Sequence, residues 1–179
     1  VIAPSTSRVF MVCVAVPGRR RAWLLPERAV RFGEVEPERL EVEGVSMLSL
    51  LERWPCPSAP DTWKPNLRLW PEDAGGRYKT PRRYGPIEMA IRADGYTKRG
   101  PAEPVITELI QESLDAVNRA MGWSDRPHLV VDAAPSGRSS DVVNIRVEDD
   151  SVWETVSGPA AVAGVDIGVG LWWPGDPAV

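Results

Sequence analysis

One stretch of the chain, between about residues 103 and 122, carries the repeat of an amphipathic helix. Its large apolar residues recur at spacings of three and four, which places them on one helix face: Val105, Ile106, Leu109, Ile110, Leu114, Val117 and Met121. Polar side chains such as Glu112 and Asn118 fall on the other face. Pro104 suits a first helical turn, and Gly122 suits a C-terminal stop. We therefore predict a helix that packs one side on a core and exposes the other to water.

Short apolar segments on both sides of this helix predict strands. Residues 8–16 and 22–25 flank a turn at Pro17 and Gly18, which indicates a hairpin. One or two half-buried strands are expected within residues 27–44, and a short helix within residues 45–54. Further strands are expected at residues 128–133, 142–147 and 152–156, and a bulged strand or extended arm at residues 160–173. The predicted fold is a single α+β domain over residues 1–179, a mainly antiparallel sheet packed against the long helix.

Residues 55–86 differ from the rest of the chain, because seven prolines fall within them. Such a density of proline predicts a long excursion without regular elements. Tryptophans recur in and beside its first half, at Trp54, Trp63 and Trp70, whereas disordered linkers are poor in aromatic residues. We expect an ordered but irregular segment that tryptophans hold in place.

The composition excludes several classes of protein. Hydrophobic residues make up 43% of the chain, too many for a disordered protein, and no apolar run is long enough to predict a membrane span. Cys13, Cys56 and the single His128 show neither a metal-ligand spacing nor a disulfide framework. We therefore predict no cofactor, no metal and no catalytic residues, and free thiols in a reducing compartment, the cytoplasm or a particle assembled there.

The charge of the chain is split along its length. Residues 1–101 hold 17 basic and 12 acidic residues, a net charge of +5, whereas residues 102–179 hold 4 and 13, a net charge of −9. Such halves attract each other within a fold or between subunits.

A basic segment from Arg77 to Arg99 contains all three tyrosines of the chain. The residues predicted here to contact a partner are Arg77, Tyr78, Lys79, Arg82, Arg83, Tyr84 and Tyr96. Guanidinium groups neutralise phosphates and tyrosine rings stack on bases, so nucleic acid is one candidate partner. The whole chain is acidic, with a net charge of −4, which disfavours nucleic acid and favours an acidic protein surface.

Two clusters of polar residues in the last third each have two interpretations. The carboxylates are Asp132, Asp141, Glu148, Asp149, Asp150 and Asp166, which either converge on Mg²⁺ or Mn²⁺ or simply form turns at strand ends. Ser136, Ser139 and Ser140 surround Gly137 and Arg138, which either cradle an anion or form a hairpin loop.

Residues 168–179 are a candidate for an extended C-terminal arm. They contain the adjacent Trp172 and Trp173, whose indoles are too apolar to be left in water. We predict that these two residues also contact a partner, either the sheet of their own domain or a neighbouring subunit.

The absence of a recognisable catalytic motif and the abundance of contact residues favour a non-enzymatic structural or assembly module. Such a module acts through protein–protein contacts in a homo- or hetero-oligomer, for example as a component of a virion. The alternative is a metal-dependent nucleic-acid-binding protein or nuclease that uses residues 77–99 and the carboxylates of the last third.

Overall fold

The computed structural model describes residues 11–17, 19–32, 39–64, 68–70, 82–84, 96–132, 134–173 and 175–176. The protein has an α+β fold in which a two-stranded antiparallel sheet packs against helices, one of them 20 residues long. By chain contacts it divides into two compact units, one of residues 1–50 with 168–177 and one of residues 51–167 with 178–179. The prediction of a single domain stays a prediction.

The first unit contains a three-stranded antiparallel sheet in the order β1, β2, β3. Its strands are β1 (Met11–Val16), β2 (Arg19–Phe32) and β3 (Arg39–Ser46). The predicted hairpin is confirmed, since Val16 pairs with Arg19 across the turn. The pairing of β2 with β3 shifts between Leu24 and Arg28, around Pro26, which lacks the amide hydrogen that a regular ladder needs. The predicted break in residues 27–44 falls between β2 and β3.

The remaining elements follow in chain order. They are α1 (Ser49–Arg53), a 3₁₀ turn (Pro60–Thr62), β4 (Arg68–Trp70), β5 (Arg82–Tyr84), β6 (Thr97–Pro101), α2 (Ala102–Met121), β7 (Val142–Arg146) and α3 (Val152–Ala163). Strand β4 pairs with β5, and β6 pairs with β7, both antiparallel. The prediction that residues 55–86 hold no regular element is therefore wrong. Three residues suffice for each of β4 and β5, and they lie between the prolines.

Helix α2 confirms the predicted helix. It ends at Gly122, whose φ of +70° is a left-handed conformation that glycine adopts without a steric penalty. Leu109 and Leu114 are fully buried, as the spacing predicts, but Asn118 is buried too. Trp63 packs against the small residues Ala116 and Ala120, on a different side of the helix. Asn118 instead lies beside the segment that follows the helix, near Ser124 and Pro127. The prediction that Asn118 faces water was wrong.

The core of the second unit lies between α2, α3 and one face of the β6–β7 sheet. Strand β7 buries Val143 and Ile145 and exposes the residues between them, the alternation of a half-buried strand. Helix α3 contributes Val152 and Val156, both fully buried. Gly100 of β6 lies so close to α2 that a Cβ atom there would be 3.0 Å from Val105 Cγ2. The sheet can approach the helix because this residue has no side chain.

Helix α3 replaces the strand predicted at residues 152–156 and the first part of the strand or arm predicted at residues 160–173. Ser151 Oγ accepts a hydrogen bond from the Glu154 amide, and the Glu154 carboxylate accepts one from the Ser151 amide, which forms a capping box. The helix ends at Gly164, with φ of +68°. These caps outweigh the strand preference of the β-branched residues inside the helix.

The strand predicted at residues 128–133 is also wrong. Residues 128–132 form no regular element, and His128, Val130 and Asp132 are exposed. The Trp123 ring packs edge-on against His128, with ring centroids 4.5 Å apart. The alternation of exposed and half-buried residues remains, but no neighbouring strand pairs with this segment among the described residues.

The first part of the proline-rich excursion is held on the second unit. The Cys56 amide donates to the Asp150 carbonyl at 2.8 Å, and the Val152 amide donates to the Trp54 carbonyl at 2.7 Å. Asp149 Oδ1 accepts from both the amide and the hydroxyl of Ser58, at 2.7 and 2.8 Å. Asp149 adopts φ of +69°, a conformation that costs free energy in a residue other than glycine. These contacts and the buried Trp63 give an ordered start to the excursion.

Candidate functional site

The outward face of the β6–β7 sheet is a solvent-exposed surface in the second unit. The alternation of both strands places six residues on it: Thr97, Arg99, Pro101, Val142, Asn144 and Arg146. The register places them opposite one another in three cross-strand pairs. We call this surface the β6–β7 face.

The β6–β7 face combines positive charge with an apolar side chain. Arg99 lies opposite Asn144, and Arg146 Nε forms an ion pair with Glu148 Oε1 at 2.7 Å. Val142 is 64% exposed although valine is usually buried. Guanidinium groups next to exposed apolar area are typical of protein contact surfaces. Arg99 ends the predicted basic segment but was not among the residues predicted to contact a partner. Val142 and Arg146 were not predicted as site residues either, although the strand alternation over residues 142–147 was a signal for them.

An ionic network fixes β6 to α2 beneath this face. Lys98 Nζ lies 2.7 Å from Glu112 Oε1 and 2.7 Å from Glu108 Oε1, and the Tyr96 hydroxyl donates to Glu112 Oε2 at 2.6 Å. Partial burial lowers the pKa of Lys98, but the hydrogen bonds to Glu108 and Glu112 outweigh it, so the pKa is raised overall. Burial, and then the hydrogen bond to Glu112, raise the pKa of Tyr96. Both groups therefore stay protonated at neutral pH.

Of the residues predicted to contact a partner, Tyr96 belongs to this ionic network. Its hydroxyl is bonded to Glu112, and Lys98 Nζ lies 6.0 Å from its ring centroid. Arg77, Tyr78 and Lys79 lie outside the described residues. The structure places Arg82, Arg83 and Tyr84 in β5, paired with β4, and describes their backbone. The partner-binding role of this set stays a prediction.

Trp172 and Trp173, the other predicted contact residues, follow α3 in an extended segment. Trp172 is 57% exposed and Trp173 is half-buried. A small turn holds the backbone here, because the Trp173 amide donates to Asp176 Oδ2 and the Asp176 amide donates to the Trp173 carbonyl, both at 2.9 Å. Residues 168–177 belong to the same compact unit as the N-terminal sheet.

The six carboxylates of the last third lie at separate places among the described residues. In the parts of the chain that the structure describes, which include all six of these residues, no three acidic, histidine or cysteine side chains are grouped to hold a metal ion. Asp149 instead binds Ser58, and Asp132 Oδ1 accepts a hydrogen bond from the Ala134 amide. These contacts match the turn-forming interpretation.

The serine loop at residues 134–141 does bind an anionic group, but that group belongs to the protein. The amide and hydroxyl of Ser136 donate to the two carboxylate oxygens of Glu103, at 2.6 and 2.5 Å. Ser140 Oγ accepts from the Glu103 amide at 3.1 Å. The hydrogen bonds from the Ser136 side chain and then its backbone lower the pKa of Glu103. The loop therefore caps the first turn of α2.

Cys56 lies behind the ionic network and is 1% exposed. Ser113 Oγ is 3.3 Å from its sulfur, and Thr155 also bonds to the thiol. Burial raises the pKa of Cys56, more than these two hydrogen bonds lower it. A protonated, buried thiol is poorly reactive, so Cys56 acts as a core residue.

A cleft of about 280 Å³ lies beside the C-terminal half of α2. It is lined by Gln111, Asp115, Asn118, Arg119, Ser124, Pro127, Leu129 and Val130. Several of its polar groups already bond within the fold, since Gln111 Nε2 donates to Asp115 and Arg119 Nη2 donates to the Pro60 carbonyl. No helix in the described part of the chain is long and apolar enough to span a membrane.

Comparison with known proteins found no relative of this chain. No protein-family model matches the chain, and neither the curated proteins nor the solved structures gave a match. The function is therefore inferred from the surface and its geometry alone.

Proposed function

We propose that the protein is a non-enzymatic structural or assembly module that acts through protein–protein contacts, as a subunit of a larger particle such as a virion. The observation that carries this proposal is the β6–β7 face. It holds two arginines and an exposed valine on a sheet that the ionic network attaches rigidly to α2. A rigid, partly apolar and partly charged surface is suited to binding another folded protein.

The charge distribution supports a partner of the same kind. The β6–β7 face carries Arg99 and Arg146, whereas residues 102–179 as a whole, which include β7, carry a net charge of −9. Copies of one chain with basic and acidic surfaces attract each other, and salt weakens that attraction when the charges are exposed.

Sedimentation velocity tests this proposal. We expect the mass of the wild-type protein to rise with concentration at low salt, and to rise less at high salt. Arg99→Glu should weaken the association, because it reverses a charge in the middle of the β6–β7 face. Arg126→Glu is the matched control, since Arg126 is also an exposed arginine of the second unit but lies away from that face. A mass of one chain at every concentration and salt would contradict the proposal.

A further inference from the structure

The segment that follows α3 has the side-chain pattern of a strand, and no described strand pairs with its residues 165–171. Its half-buried residues are Val165, Ile167, Val169, Leu171 and Trp173, and its exposed residues are Asp166, Gly168, Gly170 and Trp172. This period of two is that of an extended strand. Nevertheless the structure assigns it to none of the three sheets. The backbone of residues 166–171 makes no hydrogen bond to the described part of the chain.

Strand β7 has one edge with which no strand of the described residues pairs. The Asp141 carbonyl accepts from the Ala102 amide, and the Val147 amide donates to the Tyr96 carbonyl, so the odd-numbered residues of β7 face β6. The even-numbered residues, Val142, Asn144 and Arg146, direct their backbone groups to the opposite edge. No described residue pairs with that edge. A two-stranded sheet with an open edge is a template for a further strand.

One antiparallel register brings the half-buried apolar residues 165, 167 and 169 of the segment opposite the buried apolar residues of β7. With Asp166 opposite Arg146, the half-buried residues of the segment lie opposite the buried residues of β7. The facing pairs on the covered side are Val165 with Val147, Ile167 with Ile145, and Val169 with Val143. On the open side Asp166 meets Arg146, Gly168 meets Asn144 and Gly170 meets Val142. Apolar residues face apolar residues, and the single carboxylate faces an arginine.

We propose that residues 165–171 of one copy of this protein add to β7 of a second copy as an antiparallel third strand. The proposal rests on the proposed function and names its partner, a second copy of the chain. Because donor and acceptor are different surfaces, the exchange either closes into a reciprocal dimer or continues into a chain of subunits. Main-chain hydrogen bonds from Val142, Asn144 and Arg146 provide the binding, and the facing side chains set the register.

Charge exchange between the two surfaces tests the register. Asp166→Arg and Arg146→Asp should each lower self-association at least tenfold, as measured by sedimentation velocity. An equimolar mixture of the two variants should associate again, because the arginine of one segment then faces the aspartate of the other β7. Asp125→Arg, an exposed acidic residue outside both surfaces, is the control and should associate like the wild type.

A backbone change tests the strand addition without altering charge. Gly168→Pro removes the amide hydrogen that would donate to Asn144, so it should also abolish association while circular dichroism stays unchanged. If the wild type associates and these variants associate equally well, the assignment of residues 165–171 is wrong but the protein-contact function stands. If the wild type never associates, both are wrong. Recovery in the mixture excludes pairing of the segment with its own chain.

Discussion

Residues on the apolar face of α2 differ in how completely the fold covers them. Leu114 is 2% exposed, whereas Ile110, which the spacing places on the same face, is half-buried. The cost of truncating a side chain follows the cavity that it leaves and the area that it had removed from water.

We therefore expect Leu114→Ala to lower the free energy of unfolding by about 2–5 kcal/mol, and Ile110→Ala to lower it by less. Urea denaturation of the two variants measures the difference. Equal losses would mean that Ile110 is packed as closely as Leu114.

Glu112 and Glu108 provide a matched pair on the polar side of the same helix, because both bond Lys98. Glu112 also accepts from Tyr96 and is the less exposed of the two. Glu112→Gln should lower the free energy of unfolding by about 1–3 kcal/mol, as expected for hydrogen bonds to a charged group. Glu108→Gln should lower it by about 0–1 kcal/mol, the range of exposed pairs.

The same network gives stability a defined pH dependence. Since folding raises the pKa of Lys98 and of Tyr96, their contribution is fully present below the pKa values of the unfolded chain. It is lost as the pH rises into the alkaline range, through the raised values. Glu112→Gln should flatten this alkaline loss in urea denaturation repeated across pH, and an unchanged profile would exclude the network as its source.

At the scale of elements, the attachment of the serine loop to α2 depends on the charge of Glu103. Folding lowers the pKa of Glu103, so its contribution is present above the ordinary carboxyl pKa and is lost as the pH falls through the lowered value. Ser136→Ala removes one donor and should move the pKa of Glu103 back towards its ordinary value. Carboxyl NMR titration measures this shift, and Ser139→Ala is the control from the same loop.

Elements differ in how far the sequence determines them locally. Helix α2 was predicted because its apolar residues keep a helical spacing for five turns. Helix α3 was predicted as a strand because Val152, Thr155 and Val156 are β-branched and Gly158 interrupts the segment. Ser151 and Glu154 carried the opposite signal, a capping box, and that local signal decides the element.

Contacts between distant residues could not be predicted in this way. Trp63 packs against Ala116 and Ala120 of α2, although it lies more than fifty residues earlier in the chain. The Ser136 loop was predicted either to cradle an anion or to form a hairpin loop, and the anionic group that it binds, Glu103, lies 33 residues away along the chain. The β6–β7 face likewise depends on a strand pairing across the whole of α2. Periodicity identifies which residues share a face, and only the fold shows what faces them.

At the scale of the whole molecule, the balance of charge favours the protein partner that we propose over nucleic acid. The net charge is −4, and the basic excess is confined to residues 1–101. We expect single-stranded DNA or RNA to bind no more tightly than the micromolar range of non-specific binding at about physiological salt. Fluorescence anisotropy measures this affinity. Tighter binding that is lost in the double variant Arg82→Ala with Arg83→Ala, but kept in Arg126→Ala, would reverse the choice of partner.

Because Cys56 is buried, the rate at which its thiol reacts measures local opening of the fold. A thiol reagent can reach this sulfur only when residues 54–58 leave the loop at residues 149–152, and the raised pKa slows its reaction further. Cys13 is half-buried and lies in the first unit, so its reaction rate is independent of this opening. Mass spectrometry of the native protein during labelling therefore measures how often Ser58 separates from Asp149. Asp149→Ala should increase the labelling rate of Cys56 and leave the labelling rate of Cys13 unchanged.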